Sequence, residues 1–241
     1  MRIIYVILLL LCACSNEKVE YEAFKVATSA DNPPYSFIEN DKIVGFEIDL
    51  INKIAQEMGV PIVIVNIPFS GIIQSLVNGD VDLLIAGMSQ TAERSQMADF
   101  SEPYFYSTMS LMTRDDFKIT TLDDLKGKVI GAQIGSTWQD EAHSIAAKIP
   151  SLQLRVLANN FLLIEELKAG NIDAIVMESP QVSQFIARDN SLHKFDLLDS
   201  KSALAIVLKK DSDLKKEVNN IILKLQKEGY IEFLADKWIE L

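Results

Sequence analysis

From residue 24 onward the chain alternates two kinds of apolar pattern. Short runs rich in β-branched residues, at Phe24–Thr28, 62–65, 81–86, 128–132, 152–157 and 172–177, predict buried strands. Between them apolar residues recur at helical spacing. In Phe46–Met58 the spacing is set by Ile48, Ile51, Ile54, Ala55 and Met58, and Gly59 follows as a C-cap. Further helices are predicted at 72–77 (stopped by Gly79), 137–148, 161–169, 213–227 and 230–239. Alternating strands and helices predict an α/β fold with parallel-rich sheets covered by helices.

One stretch of this pattern occurs twice. Asn78-Gly79-Asp80-Val81-Asp82-Leu83-Leu84 is matched, 91 residues later, by Ala169-Gly170-Asn171-Ile172-Asp173-Ala174-Ile175. Each copy is a helix end, a Gly, a turn, an Asp and a buried strand. Lys25-Val26 and Lys128-Val129 open two further units of similar plan. Two related α/β lobes follow. Ligands of open α/β sheets sit beyond the carboxyl ends of the strands, so two facing lobes would share one cleft. The ends of the matched strands, Gly87 and Glu178, then lie on its opposite walls.

Composition narrows the function. The 241 residues are 49% hydrophobic and 24% charged, enough for a buried core and against disorder. A formal net charge of −11 argues against nucleic acid, which requires a basic face. The N-terminus, Met1-Arg2 followed by an apolar run from Ile3 to Leu11, reads as a secretory signal too short to span a bilayer. Leu11-Cys12-Ala13-Cys14 resembles the bacterial lipobox, which implies a signal peptide of residues 1–13, acylation of Cys14 and a polar tether over residues 14–23. The mature chain would carry no second Cys for a disulfide, a metal site or a thiol nucleophile.

Candidate chemistry gathers at the predicted strand ends. After the third strand comes Gly87-Met88-Ser89-Gln90-Thr91-Ala92-Glu93-Arg94. Thr91 is a plausible N-cap, which puts Arg94 in a first helical turn, where the dipole disfavours a cation. Two readings are open: Arg94 clamps a carboxylate with its planar fork, aided by Ser89, or it pairs at the surface with Glu93 or Asp99. Glu178 suits an ammonium, or else it caps the helix that follows. An Arg and an acid facing each other across a cleft describe a receptor for a zwitterion. Asp31-Asn32-Pro33-Pro34-Tyr35-Ser36-Phe37 forms a loop in which Tyr35 is a candidate wall, while Phe37 reads as packing. Phe69 is positioned to stack on a planar or aliphatic group. In the second lobe Gln133-Ile134-Gly135-Ser136-Thr137 offers close approach, hydroxyls and helix N-terminal amides.

These motifs together resemble the polar amino-acid family of type II periplasmic solute-binding proteins of ABC importers. The resemblance runs from about Phe24 to Leu241. It is carried by Val44-Gly45-Phe46-Glu47-Ile48-Asp49-Leu50, the segment from Ala86 to Arg94, Asp99-Phe100-Ser101-Glu102-Pro103-Tyr104, the segment from Leu125 to Gly131, Gly229-Tyr230-Ile231, and Lys237-Trp238. It implies two Rossmann-like lobes, residues 24–109 with 204–241 and residues 110–203, joined by two crossing segments near 107–112 and 201–207. It implies Arg94 as carboxylate clamp with Ser89 and Thr137, Gly87 (through its carbonyl) and Glu178 for the α-ammonium, and Asp31, Phe69 and Gln133 around the side chain. Relatives often carry an aromatic where this chain has Pro34; either Tyr35 substitutes for it or the stacking sandwich is one-sided.

The expected function is an extracytoplasmic lipid-anchored receptor, monomeric, that delivers an L-amino acid to an ABC permease without cofactor, metal or catalysis. Asp31 favours arginine, lysine or ornithine; glutamine or another neutral amino acid is the rival. An enzyme of the cyclohexadienyl dehydratase type would need a catalytic acid or base. His143, in a predicted helix, and His193, in a predicted loop, do not offer one, though Glu178 could. A sensory module usually continues into a membrane helix, and the end of the chain after Trp238 favours a stand-alone receptor.

Overall fold

A computed structural model describes residues 23–240. The signal peptide, Cys14 and nearly all of the tether lie outside the described residues.

The first lobe opens with β1 (Phe24–Thr28) and a small antiparallel sheet of β2 (Asp31–Asn32), β3 (Ser36–Glu39) and β4 (Lys42–Val44), followed by α1 (Phe46–Met58). Then come β5 (Ile62–Asn66), α2 (Phe69–Asn78), β6 (Leu83–Leu84), the single turn α3 (Arg94–Met97) and β7 (Ala98–Phe100). The long strand β8 (Phe105–Arg114) enters the second lobe. That lobe comprises β9 (Val129–Gln133), α4 (Thr137–Ala146), β10 (Gln153–Leu157), α5 (Asn160–Lys168), β11 (Ala174–Glu178) and α6 (Ser179–Arg188). A second long strand, β12 (Leu192–Leu204), leads back to β13 (Val207–Lys209), α7 (Leu214–Lys227) and α8 (Tyr230–Trp238) in the first lobe.

Two five-stranded sheets share one plan, β5-β1-β6-β13-β7 and β10-β9-β11-β8-β12. In each, three parallel strands are followed by a fourth that runs antiparallel to them and a fifth antiparallel to the fourth. The sequence repeat has a structural purpose within this plan. Asp82 and Asp173 stand at matching places, and their carboxylates accept the N–H of Lys25 and of Val129, each at 2.9 Å. The same turn chemistry, used once in each lobe, thus pins β6 to β1 and β11 to β9.

Period-two alternation splits the first sheet's side chains between two faces. Val26, Leu83 and Leu208 pack under α1, α7 and α8, whereas Ala27, Leu84 and Val207 pack under α2. The second lobe has its own core around Leu111, Ile130, Ile175 and Leu163. Full burial of each such Leu or Ile is worth about 1.5–3 kcal/mol. Between the cores β8 and β12 run antiparallel, pairing Phe105 with Leu204, Tyr106 with Ala203 and Ser107 with Ser202. These two strands carry the chain between the lobes.

The N-terminus of α1 is capped by main chain. Phe46 N–H donates to Pro34 C=O at 3.0 Å and Glu47 N–H to Tyr35 C=O at 2.9 Å, which ties the loop after β1 to the helix. Gly45, at φ 130°, permits this approach, because a Cβ there would fall 2.3 Å from Tyr35 O.

Two sequence expectations need correction. His193 lies in β12, opposite Thr113, not in a loop, and its Nε2 stands 2.6 Å from Asp115. The strand expected over 81–86 is reduced to Leu83–Leu84 because the chain turns at Gly87 toward the cleft.

Candidate functional site

The carboxyl ends of β1 and β6 in one lobe face those of β9 and β11 in the other, and the polar side chains at these ends meet in three groups.

Arg94 centres the first group. Thr91 Oγ1 accepts the Arg94 N–H at 3.1 Å and so starts α3, and the side chain turns inward, only 7% exposed. Nη1 donates to Ser89 C=O at 2.7 Å, and Nη2 crosses to the other lobe to reach Gly135 C=O at 2.9 Å. The Phe69 ring lies 5.7 Å from the guanidinium carbon. Burial lowers the guanidinium's pKa, an effect only partly opposed by the charges of Asp140 and Glu93. Surface pairing with Asp99 does not occur, since Asp99 is bound by Lys210. A cavity of about 400 Å³, in the range of small-molecule sites, opens here between Phe69, Met88, Arg94, Gly135 and Ser136. The Ser89 hydroxyl is buried without a partner. Thr137 begins α4, whose cap is its neighbour Ser136.

Asp31 centres the second group. Ser29 Oγ donates to one carboxylate oxygen at 2.8 Å. The other accepts Asn160 N–H at 2.8 Å, from the first turn of α5, and Gln133 Nε2 at 3.3 Å. Both of the latter belong to the second lobe, so Asp31 is a polar tie across the cleft. It lines a second cavity, of about 310 Å³, with Asn66, Pro68, Asn159 and Phe161.

The third group is sealed. Glu178, 1% exposed, accepts from Ser202 Oγ at 2.6 Å and from Trp138 Nε1 at 3.3 Å through one oxygen, and its other oxygen has no partner. Its side chain does not cap α6. Burial raises its pKa against these hydrogen bonds. The charge of Glu178 reaches the hydroxyls of Tyr35 and Tyr104 in the first lobe, and burial raises the pKa of both phenols. Here too lies Gly87, at φ 61°, whose N–H donates to the buried Glu47 at 2.6 Å.

Tyr35 differs from expectation. Its ring is fully buried between Phe46 and Phe105, edge-on to the former at 6.3 Å, so no face is free to stack on a ligand; only its hydroxyl, buried and unpartnered, reaches the polar cluster. Phe37 packs edge-on against Trp238. Arg94 and Glu178 do not line one common cavity. They are linked through the crossing strand, because Ser89 pairs with Leu204, two residues from the Ser202 that binds Glu178. The sequence reading assigned no role to Glu47, Tyr104, Trp138, Asn160 or Ser202. The signal for Glu47 was an acid on the apolar face of a helix, in register with Leu50, Ile51 and Ile54.

Comparison with known proteins agrees with this architecture. Residues 24–241 match the bacterial extracellular solute-binding proteins, family 3. The arginine-binding extracellular protein ArtP of Bacillus subtilis is 30% identical over 94% of this chain and 91% of its own. The substrate-binding protein of an amino acid ABC transporter superposes with a TM-score of 0.83 at 35% identity, over 91% of this chain and all of that one. An ancestral arginine-binding protein, 31% identical, was solved with arginine (TM-score 0.83, 90% of this chain and 97% of that one) and with glutamine (TM-score 0.84, 91% and 98%).

Proposed function

The chain belongs to the bacterial extracellular solute-binding proteins of family 3, and from that premise we propose that it captures a free L-amino acid between its lobes, outside the cytoplasmic membrane, and presents it to an ABC importer. One observation carries the reading. Arg94 is a buried, permanent cation at the wall of a cleft cavity, and its hydrogen-bond partners are two neutral carbonyls rather than a carboxylate. A bidentate carboxylate is the natural complement of such a fork.

In this reading Arg94, the Ser89 hydroxyl and Thr137 hold the α-carboxylate. The Gly87 carbonyl and Glu178 hold the α-ammonium. Asp31, Phe69 and Gln133 surround the side chain. The lobes, residues 24–109 with 204–241 and residues 110–203, close by bending at β8 and β12. A basic ligand such as arginine is favoured by the carboxylate of Asp31. A neutral ligand such as glutamine is the second reading, supported by the fact that both Asp31 oxygens are already hydrogen-bonded within the protein. The anchor in this proposal is a lipid on Cys14, and Cys14→Ser should release the protein from membranes on fractionation.

The test is a thermal-shift panel of the twenty amino acids. A ligand at about 100 times its Kd stabilises by about 2.7 kcal/mol, or roughly 5–11 °C for a chain of this size. The basic amino acids should give the largest rise, and Arg94→Ala should abolish it. A panel in which no amino acid shifts the melting temperature overturns the reading.

A further inference from the structure

Two of the motifs that carry the family resemblance have no part in ligand capture, and they meet in the first lobe. Asp49 of α1 accepts Trp238 Nε1 at 2.8 Å and Lys237 Nζ at 2.7 Å, both from the end of α8. The Trp238 ring is thus fixed against α1. Phe37 of β3 packs on it edge-on, with ring centroids 6.0 Å apart.

This fixed pair of rings meets α6 of the second lobe. Pro180, Gln184 and Arg188 are spaced four residues apart, so they share one face of that helix. Gln184 is buried and donates from Nε2 to Trp238 C=O at 3.0 Å. The Arg188 guanidinium carbon stands 5.9 Å from the centre of the Phe37 ring. Pro180 and Ser183 line one cavity together with Ile239, the residue after Trp238. Because Asp49 orders the Trp238 ring beforehand, little freedom is lost when α6 arrives.

Two observations make this contact part of lobe closure. The first is register. Phe37 is the strand partner of Asp31 in the small sheet, and Asp31 is bound across the cleft by Asn160 and Gln133. Asp31 and Phe37 move as one piece, so a motion that parts Asp31 from Asn160 also shifts Phe37 against Arg188. The second is position. The cavity, of about 550 Å³, is walled by Pro180, Ser183 and Ile239 from the contact and by Phe105, Tyr106 and Lys201 from the crossing strands. Space separates the contact from the strands about which the lobes turn, and a rotation there displaces it.

We propose that Phe37 and Trp238 of the first lobe and the Gln184–Arg188 face of α6 form a closing latch. It holds the closed arrangement from outside the ligand site, so affinity is set in part by residues that touch no ligand. The inference rests on the amino-acid reading above and adds to it residues that act on closure alone.

Calorimetric titration and stopped-flow kinetics with L-arginine and with L-glutamine test it. Gln184→Met removes the donor at similar length and should weaken binding about fivefold. Arg188→Ala should weaken it about two- to fivefold. Arg188→Lys keeps a cation for the Phe37 ring and should restore most of that loss. The loss should lie in faster dissociation with association unchanged, because the ligand docks before the lobes close. It should be the same for each ligand that binds, because the latch touches neither. Small-angle scattering at a fixed ligand concentration should show the double variant, Gln184→Met with Arg188→Ala, more open than wild type. A lower melting temperature with an unchanged dissociation rate would mark the contact as packing alone and overturn the latch. Slower dissociation, or a loss that differs between the two ligands, also overturns it and leaves amino-acid capture intact. Failure of every amino acid to bind the wild type overturns the functional reading itself, and the latch with it.

Discussion

Asp31→Asn separates two duties that the structure assigns to one carboxylate. Asp31 accepts three hydrogen bonds, one from Ser29 in its own lobe and two, from Asn160 N–H and Gln133 Nε2, across the cleft. Asparagine keeps one acceptor and turns the other into a donor. If its oxygen stays on Ser29, its NH₂ group confronts Asn160 N–H and Gln133 Nε2, donor against donor. If it flips toward Asn160, the Ser29 bond and the charge are lost. A hydrogen bond to a charged acceptor is worth about 1.5–3 kcal/mol, and the 3.3 Å contact with Gln133 counts for less. Closure should therefore lose about 2–4 kcal/mol, or roughly 30- to 900-fold in affinity for any ligand that requires it. A basic side chain should lose its charge partner in addition. Titration of wild type and Asp31→Asn with L-arginine and L-glutamine should show both weakened and arginine weakened more. Small-angle scattering with ligand at a fixed concentration should show a more open variant. Equal loss for the two ligands would refute a side-chain role for Asp31 and leave only the tie between lobes. Unchanged affinity for both would refute the tie as well.

Other outcomes follow from single sites. Glu47, near 4.5 when unfolded and about 7 when folded, binds more protons in the folded state between those values. Stability without ligand should therefore fall as pH rises from about 4.5 to 7, by about 3 kcal/mol from this group, and level off above. Thermal melts of wild type and Glu47→Gln should diverge over that window, and parallel curves would contradict the burial argument. Gly45→Ala should cost about 3 kcal/mol or more, because its Cβ would meet Tyr35 O at 2.3 Å and Pro34 O at 2.7 Å; a melting temperature within 2 °C of wild type would show that the loop gives way (roughly 2–4 °C per kcal/mol is expected at this size). Trp138→Phe keeps the packing but removes the Nε1 donor to Glu178. It should weaken amino-acid binding by about 1 kcal/mol, measured by calorimetry, with a further upward shift of the Glu178 carboxyl.

Much of the fold was legible because its central strands are buried on both faces and so read as unbroken apolar runs. The repeat around Gly79 and Gly170 was legible because each Asp has a backbone amide to bind, and that chemistry tolerates few substitutes. The crossing strands, which the family resemblance located near 107–112 and 201–207, escaped the apolar pattern for opposite reasons. In β12 the edge position leaves polar Lys194, Asp196 and Lys201 in alternation with buried residues, which weakens any strand signal. In β8 a buried Ser110 interrupts the apolar run, and it is tolerated there only because its hydroxyl reaches Asp196 at 2.7 Å and Ser179. Helix α6 entered only as the helix that Glu178 might cap and without bounds, because Ser179 and Pro180 open it immediately after β11, with no loop to announce it.

The site was legible where a side chain's chemistry is scarce and hidden where main chain does the binding. Arg94 and Asp31 stand out in sequence because a cation in a first turn and an acid after a strand each call for a partner. Their partners across the cleft are Gly135 C=O, a group every residue carries, and Asn160 N–H, a group every residue but proline carries. This division has a mechanical consequence. In these two ties the first lobe contributes the charged side chain and the second contributes mainly backbone, so substitution at 160 can leave its contact standing while substitution at 31 or 94 cannot. Ligand choice and lobe closure are therefore coupled through the first lobe. The second lobe can vary its side chain at 160 with the tie intact, provided α5 keeps its first N–H, whereas position 135, at φ 75°, favours glycine to keep its carbonyl directed at Arg94.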